Sequence, residues 1–196
     1  MDPEIPGTLI LQILGGLGLA AAAGLRAFLP PLVAGLLGRL DLVHLRPELE
    51  WLQSTPALAV LGAAVLFEVL GDKIPLLDHA LDLLGTVLKP ASGALALAAP
   101  LVEPSPMVAA VTALALGGTV AGAVHVAKSG LRLASTGTTG GLANPILSLG
   151  EDILSLGGAL VALLSPLLVL VVLVLVLLLL RRVIGRMRSG TRPGET

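Results

Sequence analysis

The chain has 196 residues, 55% hydrophobic and 13% charged, with a mean hydropathy of +0.98 and a net charge of -1. Soluble domains carry about 25% charged residues, and one core of this size cannot hide such an apolar surplus. A lipid solvent is the economical answer, and the charge argues against a nucleic-acid partner, because no basic face outside the C-terminal tail could track phosphates. Without Cys there are no disulfides or thiolate metal sites, and with two Phe, one Trp and no Tyr the aromatic belts common at membrane interfaces are missing.

The start, MDPEIPG, is acidic rather than basic, the wrong flank for an export signal, so a retained first helix is expected. Ile5 to Gly38 is apolar apart from Gln12 and Arg26. As one helix it would measure roughly 51 Å at 1.5 Å per residue, against a hydrocarbon core of about 30 Å. Pro30-Pro31 predicts a break, giving a first span near 9–29 and a shorter piece to about 38. Arg39 to Ser54 is a polar loop with an interfacial turn expected around Trp51. A second passage begins at Thr55 and ends in charge at Glu68 and Asp72-Lys73-Ile74-Pro75. Pro75 lacks an N–H and fits the first turn of a new helix, so a third passage is predicted over 76–102, broken near Lys89-Pro90.

Pro104 and Pro106 precede a fourth helix from Met107 to about Ser135, where glycines at 117, 118 and 122 allow close helix approach. A Ser135–Ala143 linker leads to a fifth helix over 145–180, with a kink expected at Pro166. Arginines 181, 182, 186, 188 and 192 close the chain. By the positive-inside rule they place the C-terminus in the cytoplasm, and five passages then put the acidic N-terminus outside. The expected fold is all-α: a polytopic transmembrane helical bundle of about five passages with proline-broken segments. It forms a single membrane domain, with a first half at 1–103, a second half at 104–180 and a basic cytoplasmic tail at 181–196. Gly24-Leu25-Arg26 recurs as Gly130-Leu131-Arg132, and Val69-Leu70-Gly71-Asp72 is echoed by Ser148-Leu149-Gly150-Glu151, a pattern that an internal inverted repeat would leave.

Chemistry concentrates between residues 68 and 152. Six acids (Glu68, Asp72, Asp78, Asp82, Glu151 and Asp152) stand with four bases, Lys73, Lys89, Lys128 and Arg132. An isolated charge at the bilayer centre costs about 2.5–3.5 kcal/mol, so most of these groups must pair, face water or lie near an interface. His125, Lys128 and Arg132 recur at helical spacing on one face. Asn144, Ser148, Asp152 and Ser155 form a second stripe, with Glu151 at its margin, and Glu68 and Asp72 a third. The expectation is that His125, Lys128 and Arg132 face Glu151 or Asp152, and that the turn at Asp72–Pro75 brings Glu68, Asp72, Asp78 and Asp82 together. The Ser135–Ala143 linker has the glycines and hydroxyls that could cradle a phosphate or carboxylate. It lacks the Gly-Lys-Ser/Thr of a P-loop. Asp78, His79 and Asp82 are the best local candidates for a hard metal ion, but the nearby bases already neutralise the acids, and neither a metal site nor a cofactor is expected.

The run Asp72-Lys73-Ile74-Pro75, Asp78, Asp82, Lys89-Pro90 and Gly93-Ala94, with His125, Lys128, Arg132, Asn144, Ser148 and Glu151-Asp152 after it, resembles an uncharacterised bacterial membrane family, domain of unknown function 4126. The resemblance covers nearly the whole chain. Many relatives carry a Ser-Pro-Glu-Pro-like turn where this chain has Thr138-Thr139-Gly140-Gly141, so a shared role for the linker is in doubt. The resemblance implies a multipass protein of the cell membrane and supplies no activity.

From the residues, transport or permeation of a small charged solute through a polar intramembrane site is expected, ahead of any enzymatic role. A membrane enzyme or flippase-like protein acting on a phosphorylated lipid is the alternative, with lipid headgroups as ligands. A third is a structural or partner-binding bundle. The lipid bilayer is the expected surrounding partner, and self-association into a homo-oligomer is compatible with such a bundle.

Overall fold

The computed structural model describes residues 5–72 and 74–189, with the side chains of residues 5–7, 75–79, 179–180 and 183–189 left aside. Eight α-helices are present among the described residues: α1 (Ile5–Leu25), α2 (Leu29–Arg39), α3 (Thr55–Gly71), α4 (Pro75–Ala98), α5 (Pro106–Thr112), α6 (Thr119–Thr139), α7 (Asn144–Leu164) and α8 (Pro166–Ser189). A 3-10 segment, Pro47–Gln53, precedes α3, and a π segment, Ala113–Gly118, joins α5 to α6. No strand occurs among the described residues.

Thr8–Leu25, Ala80–Ala98, Pro106–Thr139 and Asn144–Leu164 are each long and apolar enough to cross a membrane. The 3-10 segment and α3, bent by 68° at their junction, make a fifth crossing if they pass as one. The protein is an all-α, multipass integral membrane bundle. The apolar part of α8, Pro166–Leu178, is shorter; its 13 residues measure roughly 20 Å, less than a hydrocarbon core.

Helix α1 is the centre of the bundle and packs against α4, α6, α7 and α8. Leu19, Ala20, Ala22 and Ala23 are buried along it. Its glycines allow this: a methyl group on Gly15 would lie 2.8 Å from the Ala162 carbonyl of α7, on Gly16 2.7 Å from that of Leu97 in α4, and on Gly24 2.5 Å from that of Ala121 in α6. In lipid, where apolar burial drives little association, such close backbone approach is what holds helices together. The same device joins α4 to the π segment, where a methyl on Gly93 would meet Ala121 Cβ at 2.3 Å and the Gly117 carbonyl at 2.6 Å.

Proline positions the helix starts. Pro75 opens α4 after the extended Ile74, as its missing N–H predicts, and Pro106 and Pro166 open α5 and α8. Pro30 and Pro31 belong to the first turn of α2, so the break lies before them, at Arg26–Phe28, and α1 ends at Leu25 rather than near 29. First-turn N–H groups have no helical partner to lose.

Two expected boundaries are corrected. Helix α4 runs unbroken through Lys89-Pro90. Gly122 on the neighbouring helix stands opposite the Pro90 ring, and Gly118 opposite its carbonyl, leaving both room. Helix α6 continues to Thr139, and the hydroxyls of Thr136, Thr138 and Thr139 donate to carbonyls one turn back, at Arg132, Ala134 and Ser135. The linker shrinks to a turn at Gly140 and Gly141, both at positive φ, and the hydroxyls of Thr136 and Thr139 also accept from Asn144 Nδ2 and the Ala143 N–H across it. The loop after α2 is anchored as well as polar. Buried Arg46 donates to the Leu101 carbonyl at 2.9 Å, and its backbone N–H to that of Ala99 at 3.0 Å, closing the end of α4. Trp51 beside it is exposed.

Candidate functional site

The charged groups converge on the break between α1 and α2. A broken helix exposes backbone N–H and C=O groups that must find partners away from water. Here side chains from α3, α4, α6 and α7 supply them. Glu68, at the end of α3, accepts the N–H of Ala27 at 2.9 Å and of Phe28 at 3.3 Å. Lys128 of α6 donates to the Leu25 carbonyl at 3.3 Å, and Ser155 of α7 adds a bond at 3.0 Å to the Ala22 carbonyl, which also accepts the Arg26 N–H. Ser92 of α4 donates to the Ala27 carbonyl.

Arg26 occupies the gap and is completely buried. Its guanidinium bonds the Asp72 carboxylate, lies 2.6 Å from Asp152 and donates to Ser148 Oγ at 2.9 Å. Asp72 closes the C-terminus of α3 and also receives Arg132 at 3.0 Å, with Lys128 Nζ at 3.9 Å. Arg132 grips Glu151 through two nitrogens, at 3.1 and 2.9 Å, and Lys128 reaches the same carboxylate at 2.9 Å. Three cations (Arg26, Lys128, Arg132) thus meet three carboxylates (Asp72, Glu151, Asp152). A buried charge costs several kcal/mol unless paired, and mutual neutralisation is what allows these six to coexist.

Beside this network lies a smaller cluster on α4 and α6. Lys89 Nζ is 3.2 Å from His125 Nδ1, both groups buried. A cavity of about 20 Å³, lined in part by Phe28, Glu68, Asp72, Asp82 and Lys89, connects the two clusters. That volume is room for about one water.

Of the residues singled out in the sequence, Glu68, Asp72, Lys128, Arg132, Ser148, Glu151 and Asp152 come together at the break. Asp82, Lys89 and His125 stand beside it. Asn144 sits apart, donating to Thr136 Oγ1 at 3.1 Å. Lys73 lies outside the described residues, as do the side chains of Asp78 and His79. Lys128 and Arg132 meet Glu151 as the stripe pattern predicts, and they link the two halves of the chain through Asp72. The expectation that His125 faces Glu151 or Asp152 is corrected: it meets Lys89. The three positions span about 10 Å along α6, and α7 brings its acids against only the last two. Glu151 is central rather than marginal, since it takes both Lys128 and Arg132. Arg26 is the residue that motif reading left out. Its signal was a lone charge inside an apolar run, in itself a reason to look for function.

The family model for the domain of unknown function DUF4126 matches residues 13–186. The chain belongs to this family. No curated protein and no solved structure matches it. The matched range contains α4 to α7 whole and every described residue of both clusters, so the network lies inside the family domain.

Proposed function

We propose that this DUF4126 protein moves a small charged solute across the membrane, with the α1–α2 break as the place where the solute binds. The observation that carries the reading is that break. A discontinuous helix in a membrane bundle is tolerated where protein or a polar pathway covers it, and it commonly marks an ion or substrate site. Here Arg26, Lys128 and Arg132 all reach the carboxylate of Asp72 or Glu151. An anionic solute would compete with those carboxylates for the cations, and displacement of a carboxylate would loosen α3 or α7 from the break. The arginines at the chain end further support a cytoplasmic C-terminus, for which reporter fusions at Met1 and Thr196 on opposite sides are the expected outcome.

A second reading has its own observation. The cavity among these charges has room for about one water, and each of the six is paired, as a purely structural lock would require. Proteoliposomes separate the two. Under the transport reading, electrical recordings across a panel of chloride, phosphate, small carboxylates and alkali cations detect flux for at least one solute. Arg132→Gln then abolishes that flux while cooperative unfolding persists. Absence of flux from the whole panel, with Arg132→Gln altering stability alone, leaves the structural reading.

A further inference from the structure

An amine and an imidazole in hydrogen-bond contact pose a charge problem. Both are cations when protonated, and at 3.2 Å, buried to 3% and 4% exposure, Lys89 and His125 cannot both carry a charge and keep this contact. One nitrogen must donate and the other accept. The surroundings tighten the constraint. Lys128 on α6 is a further cation next to Lys89, while Asp82 on α4 and Glu68 on α3 provide the nearest opposite charge. Beyond them Asp72 lines the adjoining cavity, and Arg26 of α1 is committed to Asp72 and Asp152. A second positive charge on the pair would put three cations side by side against two facing acids.

We propose that Lys89 and His125 together form a binding site for one exchangeable proton. In the protonated state the Lys89 ammonium donates to the unprotonated Nδ1 of His125, and the pair carries a single positive charge. Release of one proton, to water past the partly exposed Asp82, leaves the pair neutral, with an imidazole N–H able to donate to the amine. Uptake reverses the step, and no electrons move. The backbone is shaped for this contact. Gly85 of α4 lies against the pair, and a methyl there would meet His125 Cε1 at 3.2 Å and Lys89 Cε at 3.3 Å. The adjoining cavity puts Lys89 on the same small space as Glu68, whose carboxylate holds the Ala27 and Phe28 N–H groups at the break. A change of charge at the pair is therefore felt at the helix break. This second step, in which the bound proton couples to solute movement, rests on the transport reading above; the proton site itself does not.

The test uses the full chain in nanodiscs with ¹⁵N-labelled Lys and His. The Lys89 ζ-nitrogen and the His125 ring nitrogens are expected to titrate together, taking up one proton between them. Lys89→Met should move the His125 midpoint, and His125→Gln the Lys89 midpoint, by at least about one pH unit, a tenfold change in proton affinity. Independent titration in the wild type, or both groups charged at once in the folded protein, overturns the site. The wild-type titration decides this even if neither variant folds. Pyranine-loaded proteoliposomes given a gradient of the solute that carries flux in the panel above then test coupling. Proton movement driven by that solute gradient, absent from empty liposomes and lost in His125→Gln, is the expected result. Shared titration with no such movement overturns the coupling and leaves the proton site standing.

Discussion

Two of the helix breaks among the described residues, each interrupting an apolar helix just before a proline, are provisioned in opposite ways. At Arg26–Phe28 the exposed backbone is met by Glu68, Ser92, Lys128 and Ser155, side chains from four other helices, with a buried guanidinium in the gap. At Ser165, between α7 and α8, the residue is exposed and the contacts are local: its N–H goes to the Val161 carbonyl and the N–H of Leu168 to its own. Proline alone thus marks where a helix restarts. What turns a restart into a candidate site is the charge that other helices bring to it.

The largest expected contrast comes from removing the central cation. Arg26→Met removes one cation from buried Asp72 and the ion pair of the partly exposed Asp152, and losing one member of a buried pair typically costs about 3–5 kcal/mol. Unfolding in mixed detergent micelles should show that loss, whereas Ser165→Ala at the other break should stay within about 0.5 kcal/mol of wild type. A loss of less than about 1 kcal/mol for Arg26→Met would mean that the two breaks are energetically alike.

Next comes Glu68→Gln. A single amide oxygen replaces a carboxylate that accepts two backbone N–H groups, so an expected loss of about 1–3 kcal/mol follows from the unsatisfied donor. Amide hydrogen exchange at Ala27 and Phe28 should accelerate with it, and unchanged protection there would remove Glu68 from its assigned role.

Ser92→Ala deletes one hydrogen bond to the Ala27 carbonyl, for an expected cost of about 1 kcal/mol. The same micelle titration checks it, and the effect should exceed that of Ser165→Ala. Smallest of all is Pro166→Ala. Pro166 is half-buried near Gly15 of α1, but the restart takes only local hydrogen bonds, so the change should stay within about 0.5 kcal/mol, and a larger loss would show that the second break is also held from outside.

Much of this architecture was legible because its signals are local. Prolines at 75, 106 and 166 sit at helix starts, and Lys128 and Arg132 meet Glu151 as their helical spacing predicts, while Ser148 and Asp152 of the stripe beside it meet Arg26. Three features were not legible, each for a physical reason. Glu68 serves backbone N–H groups some forty residues earlier, and nothing near it in sequence records that debt. His125 pairs with a lysine, whereas charge matching favours an acid. Helix α4 continues through Pro90, where glycines on a segment distant in sequence leave room, a condition invisible from the Lys89-Pro90 pair itself. Arg26 differs, since its isolation in an apolar run was plain and only its partners were hidden.

The π segment at Ala113–Gly118 has a consequence for how the chain tolerates change in length. A π turn houses one more residue than the α-helical turn it replaces, and here it sits upstream of His125, Lys128 and Arg132. Deleting Leu116 should let the segment relax to α-helix while the flanking helices keep their angular register. The same deletion at Val126 would rotate everything beyond it by about 100°, turning Arg132 away from Asp72 and Glu151. The bundle therefore holds a spare residue at one site in its longest helical run, a place where the chain can be shortened without scrambling the faces that follow.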